Sequence, residues 1–345
     1  MKGSVIVLGA IAGRDLAARM LDGQLDDLAL SPPGLGPGAI LRGVVGRPVK
    51  GLGGVFVDLP DGARGFLRQP KGLAPGQRVL VQIAGLAEPG KALPLSLRLM
   101  FKSRHAIITP DAPGRNISRQ IADEDLRAAL EGVAAQGMEG ADPALGLILR
   151  SACAEVDPRV VAEDVQQMRA LTEAVLADTA GPPELLLDAP GPHELAWRDW
   201  PTPDVLDDAA DALDQHGVLA QIDGLLRSEV ALPGGAGMVI EPTRALVAVD
   251  VNTGADTSPA AGLKACLAAA RELPRQLRLR GLGGQVVVDF APCPKKDRHV
   301  LEQALRKAFR SEGASAITLA GWTPLGNFEL QRRRDRMPLA DWMQS

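Results

Sequence analysis

The chain has 345 residues, 46% of them hydrophobic, and a formal charge of −4. That is length enough for two or three domains with sizeable cores, and no run nears the roughly 20 uninterrupted apolar residues of a membrane helix, so a cytoplasmic protein is expected. Three scattered cysteines and four separated histidines exclude a disulfide framework and show no metal-ligand spacing. Cys153, Cys266 and Cys293 read as small buried residues, and none of the histidines is assigned a catalytic role.

The mild total charge hides an asymmetry. Residues 121 to 235 carry 23 acidic side chains against 6 arginines and no lysine, whereas residues 264 to 310 carry 11 basic side chains against 4 acidic ones. The second stretch is built to sit near anions.

In chain order, Val5 to Leu8 reads as a first strand. The stretch Ser31 to Gly38, with its prolines and glycines, reads as a linker that puts a boundary near residue 37. From 39 to about 100, short β-rich runs alternate with turns: Ile40 to Val45, Gly54 to Leu59, a turn at Pro60-Asp61-Gly62, Gly65 to Leu67, Val79 to Ile83 and Leu93 to Leu99. Strands at this spacing without helices predict a small barrel of the OB type.

Within its hairpin, Val55, Val57 and Leu59 alternate with Phe56 and Asp58, which places Phe56 on the same wet face as an acid. Phe66 returns on the next strand, two residues after Arg64. Two rings and a cation on one surface suit the stacking of nucleic-acid bases, although either ring can equally plug the barrel mouth. The stretch Gly85 to Ala92 nearly spells a phosphate-binding loop. Ala92 lacks the metal-binding hydroxyl and Pro94 disfavours the following helix, so that reading is rejected.

Residues 122 to 180 predict mainly helix with acidic outer faces, broken at Pro182-Pro183 and Gly191-Pro192. A further amphipathic helix is expected over Leu206 to Ser228. Val230 to Ile240 reads as a hairpin turning at Pro233-Gly234-Gly235. Then come an apolar strand ending in Asp250-Val-Asn252, a helix from Gly262 to about Arg280, and a second apolar strand ending at Asp289. This is a β-α-β unit, whose two strands run parallel and end at one edge of the sheet.

Asp250 and Asp289 are therefore expected side by side, with Asn252 on the same side as Asp250. Two neighbouring acids repel unless a cation lies between them. Mg2+ suits such a pair because it binds few carboxylates, keeps waters and takes up phosphate oxygens. With the basic surplus nearby, phosphodiester hydrolysis is a candidate reaction. The competing reading is an ordinary turn in which Asp250 and Asn252 bond to backbone and Gly254 supplies a positive φ.

These residues together resemble the catalytic region of the ribonuclease E/G family, endoribonucleases that cut single-stranded RNA using Mg2+. The most specific matches are Ala248 to Gly254, Arg275 to Arg280 with Gly283-Gly284, the strand ending at Asp289, and Gly326 to Arg334. The resemblance implies that Asp250 and Asp289 bind the metal and that Asn252 orients the scissile phosphate. It further implies RNA contacts from Phe56, Phe66 and Lys91. Leu147 to Ala152 resembles the pocket that senses a 5′-monophosphate, with Arg150 and Ser151 as the phosphate ligands.

The implied organisation is an α+β multidomain protein in which an OB-type β-barrel RNA-binding domain, residues 37–102, is inserted in an α/β nuclease core. Residues 1–36 begin a ribonuclease H-like part of that core, 103–189 form the 5′-phosphate sensor, 190–229 return to the core, and 230–345 make the catalytic domain with its β-α-β metal site. The implied function is Mg2+-dependent cleavage of single-stranded RNA in processing or decay, including that of rRNA. It would leave 5′-phosphate and 3′-hydroxyl ends.

This sequence departs from the family pattern at Cys266 to Ala270 and at Glu312 to Ser315, where phosphate contacts of the family are replaced. Those departures motivate the alternative of an RNA-binding factor that has lost cleavage; a nuclease acting on DNA or short oligonucleotides is a further alternative. No cysteine follows Arg336, so a monomer or dimer is expected rather than the zinc-linked tetramer of the family.

Overall fold

The computed structural model describes residues 2–49, 51–68, 72–87, 90–256, 258, 260–312 and 317–344. Glu88 and Pro89 of the rejected phosphate loop, and residues 313–315 of the departing basic stretch, lie outside the described residues. The chain divides into two compact units, one formed by the chain up to Leu30 and from Pro203 onward, the other by Ser31–Thr202.

In chain order the first unit opens with β1 (Ser4–Ile11), β2 (Arg14–Leu21) and β3 (Gln24–Leu30). The second unit follows with β4 (Ile40–Val49), β5 (Gly54–Asp58), β6 (Arg64–Arg68), β7 (Arg78–Ile83) and β8 (Leu93–Ser96). It continues through β9 (Phe101–Lys102), β10 (Ala106–Thr109), β11 (Gly114–Ile117), α1 (Glu124–Gly137), β12 (Gly146–Leu149), α2 (Pro158–Ala177), β13 (Glu184–Leu187) and α3 (Pro192–Asp199).

The first unit then resumes with β14 (Val205–Asp207), α4 (Ala212–Gln215), α5 (Val218–Leu225), β15 (Glu229–Ala231), β16 (Gly237–Pro242) and β17 (Val247–Asn252). It ends with α6 (Ala261–Leu279), β18 (Gly284–Asp289), α7 (Arg298–Ala308), β19 (Ile317–Trp322), β20 (Phe328–Arg332) and α8 (Leu339–Gln344).

In the second unit, β4, β5, β6, β8 and β7 pair in that order, and β7 returns to β4, closing a five-stranded barrel. Only the β6–β8 pair is parallel. This is the OB-like barrel that the turn spacing predicts. Its interior is filled by the alternate residues Leu41, Val55, Val57, Leu67, Val81 and Ile83. β13 adds to the outer edge of β4.

The span from 122 to 180 is mainly helical as expected, but β12 and a 3-10 turn at Ser151–Glu155 separate α1 from α2. β12 is a central strand of a sheet ordered β11-β12-β10-β9, and its Leu147 and Leu149 are fully buried against the core that α1 and α2 complete. A four-residue apolar run of this kind cannot be told from a helical segment by its pattern, and long-range pairing decides it.

The first unit contains two sheets. The smaller has the order β14-β1-β2-β3, with β14 parallel to β1 and both hairpins antiparallel. Its turns are Ala12-Gly13 and Asp22-Gly23, all four residues at positive φ as tight two-residue hairpins require. The single helix expected over Leu206 to Ser228 is instead β14 followed by two short helices. Gly217, at φ 65°, breaks the helical path between them. Residues 192–199 belong to the second unit, and the first resumes at Pro203.

The larger sheet has the order β15-β16-β17-β18-β20-β19. Val247, Val249, Val251, Val286 and Val288 point to one face, where they bury against Ala265, Ala269, Leu273, Leu301 and Leu305 of α6 and α7. The opposite face of the same two strands carries Ala248, Asp250, Asn252, Val287 and Asp289, none of them buried. The period of two thus fixes which side of the sheet receives the acids.

Candidate catalytic edge and nucleic-acid interface

β17 and β18 are parallel, and Asp250 is the register partner of Asp289. Partners in register present their side chains to the same face, so both exposed carboxylates stand together at the ends of their strands. Asn252 joins them: its Nδ2 donates to Asp250 Oδ2 at 2.8 Å. That bond takes up an amide hydrogen and leaves the Asn252 carbonyl oxygen directed elsewhere. The amide bonds to the carboxylate and not to backbone, unlike the ordinary turn considered above.

Two glycines let the flanking loops close in. Gly254 sits at φ 66°, and a Cβ there would lie 2.0 Å from the carbonyl oxygen of Gly235. At Gly262, near the start of α6, a Cβ would lie 2.0 Å from the carbonyl oxygen of Pro292, three residues beyond Asp289. Any side chain at either position would push away a loop next to the acids.

Ten of the eleven basic side chains of residues 264 to 310 divide in two, and the eleventh, Arg298, is half-buried over the Trp322 ring. Arg275 bonds Glu272 and the Leu25 carbonyl, Arg278 bonds the Asp26 carboxylate and carbonyl, and Arg280 bonds Gln276 and the Arg227 carbonyl. These three tie α6 into its own unit. Lys264, Arg271, Lys295, Lys296, Arg306, Lys307 and Arg310 remain exposed. The sequence also gave no hint of the acidic partner: Asp27 is 5% exposed and bonded to Arg336, with Arg278 near it. Burial opposes its ionisation, but Arg336, Arg278 and Arg19 outweigh burial and hold the carboxyl below its ordinary range.

Two of the three cysteines are buried as expected, and the third, Cys293, is only half-buried against the core of the larger sheet. Cys153 and Cys266 are buried, and burial pushes their thiols up to about 11 and about 12. Among the histidines, His105 bonds Asp164 and His216 bonds Asp207, each within its own unit.

On the barrel, Phe56 and Phe66 are cross-strand partners, and their rings meet edge to face with centroids 5.3 Å apart. The Arg64 guanidinium lies 5.0 Å from the Phe56 centroid. Val55 and Val57 are buried on the other side, and both phenylalanines are half-buried. The rings form a surface pair with a cation, and neither is the plug of the barrel interior. Lys91 is exposed, two residues before the strand that pairs with β6.

Arg150 directly follows β12, capping the 3-10 turn, and is held by the second unit itself. Its Nη1 donates to the carbonyls of Ser103 at 2.6 Å and Arg198 at 2.8 Å, and its Nη2 to Asp199 at 2.8 Å. Ser151 is exposed beside it at the start of the 3-10 turn.

An OB-like barrel in one unit and, in the other, a mixed sheet whose parallel strand pair carries two acids and an amide at one edge define an α+β protein. Sequence comparison gives this class a family. The model of the ribonuclease E/G family matches residues 100–211 and 204–335. The chain is 28% identical to ribonuclease E of Synechocystis sp. over 92% of its own length and 55% of that protein. It is 27% identical to ribonuclease E of Escherichia coli over 95% of its length and 37% of that protein. With ribonuclease G of Salmonella typhimurium it shares 27% identity over 76% of its length and 60% of the relative. The chain belongs to the ribonuclease E/G family, and it spans about half the length of the cyanobacterial relative. Among the described residues no helix is long and apolar enough to cross a membrane.

Proposed function

We propose that the chain is a Mg2+-dependent endoribonuclease that cleaves single-stranded RNA in processing or decay. The observation that carries this reading is the register pairing of Asp250 with Asp289, joined by the amide of Asn252.

The donor set fits the metal. Among the described residues no group of three or more His, Cys, Asp or Glu side chains converges as a metal site, which disfavours a closed structural zinc centre. Two exposed carboxylates suit an ion that keeps most of its waters and draws its remaining ligands from phosphate oxygens. Bound there, Mg2+ would polarise the phosphodiester and lower the pKa of a water.

The chain's own residues do the rest. Asp250 and Asp289 supply the negative charge that holds the cation at the strand ends. Asn252, fixed through its bond to Asp250, offers its remaining amide atoms to the scissile phosphate. The exposed Lys295 and Lys296, which follow β18, add positive charge for a polyanionic strand. Phe56 and Phe66 stack bases on the barrel. Arg150 and Ser151 favour substrates with a 5′-monophosphate, and Lys91 assists RNA binding.

The test is cleavage of a 5′-labelled single-stranded RNA, with a matched DNA strand as control, with and without Mg2+. Metal-dependent cuts in RNA alone are expected. Tight RNA binding without cleavage would replace this reading with that of a binding factor, and equal cutting of DNA would remove the RNA specificity.

A further inference from the structure

Three aromatic rings pack at the end of the larger sheet where the two acids stand. Val288, the residue before Asp289, pairs with Phe328, and Phe328 pairs in turn with Trp322. Asp289 is exposed on the open face, whereas Phe290, next along the chain, is buried on the helix side. The rings of Phe290, Trp322 and Phe328 meet there with centroids 5.4 to 6.4 Å apart. Because Trp322 ends β19, the turn of residues 323–327 that leads into β20 lies at the acid-bearing edge. Leu325 in that turn is 93% exposed, so the turn stands open.

Arg298, the first residue of α7, lies on this cluster with its guanidinium 4.3 Å from the Trp322 centroid. Its Nε is buried without a hydrogen-bond partner, and so is the Trp322 Nε1. Burying a donor without an acceptor is costly, so packing alone gives poor reason for a guanidinium here. Among the described residues, the neighbouring Asp297 included, no acceptor or carboxylate engages its Nη1 and Nη2, and both reach solvent. Nη2 stands beside the open turn: a Cβ on Gly326 would lie 3.4 Å from it. A cation fixed on an aromatic face, with two open donor groups and no anion, is half of an ion pair.

We propose that Arg298 binds a backbone phosphate of the RNA strand next to the phosphate cleaved at Asp250 and Asp289, where the strand passes from the open face over the edge of the sheet. The inference rests on the endoribonuclease reading above and adds to it a substrate contact on the helix side of that edge. Trp322 holds the guanidinium in place and leaves its terminal nitrogens for two phosphate oxygens, the paired contact that suits arginine. The exposed Lys295 and Lys296 attract the strand, and Arg298, anchored on a ring, fixes where it lies.

The experiment measures the affinity of a fluorescently labelled, 5′-hydroxyl single-stranded RNA by anisotropy, without Mg2+ and over a series of KCl concentrations. It compares the unmodified full chain with Arg298→Gln and Arg298→Lys, with thermal melting of each. Arg298→Gln is expected to flatten the dependence of log affinity on log salt by about 0.7, the slope of one phosphate contact on a single strand, while Arg298→Lys keeps it. A neutral methylphosphonate linkage is then placed in turn on either side of the mapped cleavage site. At one of these positions it should weaken binding by the unmodified chain several-fold and leave Arg298→Gln unaffected. An unchanged salt slope in Arg298→Gln, with or without a lower melting temperature, would overturn the contact and assign the residue to packing on Trp322. Equal losses in both proteins at every neutral linkage would overturn its place beside the cleaved phosphate. Should Arg298→Gln not fold, an unmodified chain indifferent to every neutral linkage would overturn the contact by itself. Failure of the unmodified chain to bind RNA, or to cut it in Mg2+, would overturn the endoribonuclease reading and this inference with it.

Discussion

Asp250 and Asp289 face each other across the one parallel strand pair described in the larger sheet. Nothing else in the sheet needs two acids there, since the valines on the opposite face supply its packing. Asp250→Ala and Asp289→Ala are each expected to lower RNA cleavage roughly a thousand-fold, the several kcal/mol that a metal contributes to a charged transition state. RNA affinity should stay nearly unchanged, because the basic and aromatic contacts remain. Cleavage assays in Mg2+ and anisotropy titrations check the two halves; undiminished cutting by either variant would remove the site.

The edge-to-face contact of Phe56 with Phe66 leaves Phe56 half-buried on the barrel surface. Phe56→Ala should weaken RNA binding by about 1–3 kcal/mol, the usual worth of one stacked base. A titration paired with a melting curve separates this from loss of packing. A large fall in melting temperature with unchanged affinity would make the ring structural.

The framework bonds of Arg150 are to be separated from its proposed 5′-phosphate role. Its bonds to Ser103, Arg198 and Asp199 mean that Arg150→Ala strands two carbonyls and should cost about 1–3 kcal/mol of stability. The same variant should erase any preference for RNA with a 5′-monophosphate over a 5′-hydroxyl while sparing the slower cleavage that ignores the 5′ end. Rate comparisons on the two RNAs check this. Equal rates in the unmodified protein would assign Arg150 to the framework alone.

Asp27 predicts a pH dependence. Its pKa in the folded chain lies below the ordinary value, so its ionised form stabilises the fold. That contribution is complete above the unfolded-state value of about 4 and is lost as pH falls toward the folded value. Asp27→Asn should cost about 3 kcal/mol at pH 7. The difference from the unmodified chain should shrink as pH falls below about 4. Urea unfolding between pH 7 and pH 3 measures it, and a gap that widens on acidification would contradict the assignment.

Much of this was legible in the order of residues because strand alternation carries it. Period two put Phe56 opposite Val55 and Val57, and the β-α-β unit placed Asp250 beside Asp289. Other parts were hidden for identifiable reasons. β2 and β3 are rich in Ala, Leu, Arg and Asp, which do not favour strands, and their pairing overrides that preference. The Asp22-Gly23 turn was the available signal. A count of arginines could not tell that Arg275, Arg278 and Arg280 are spent inside the unit. Nor could any local pattern join Asp27 to Arg336, which are 309 positions apart.

That separation has a consequence for how the protein comes into being. Arg14 in β2 bonds the carbonyl of Trp342 and lies 4.4 Å from the centre of its fully buried ring. Ser4 and Asp204, 200 positions apart, join the strand pair β1–β14. The Ser31–Thr202 unit is one continuous segment and can fold while the ribosome is still at work. The unit with the two acids must hold its first hairpin in waiting until Asp204 and Trp342 have emerged. A chain interrupted before Pro203 would therefore present the Phe56–Phe66 pair of the barrel without the Asp250–Asp289 edge.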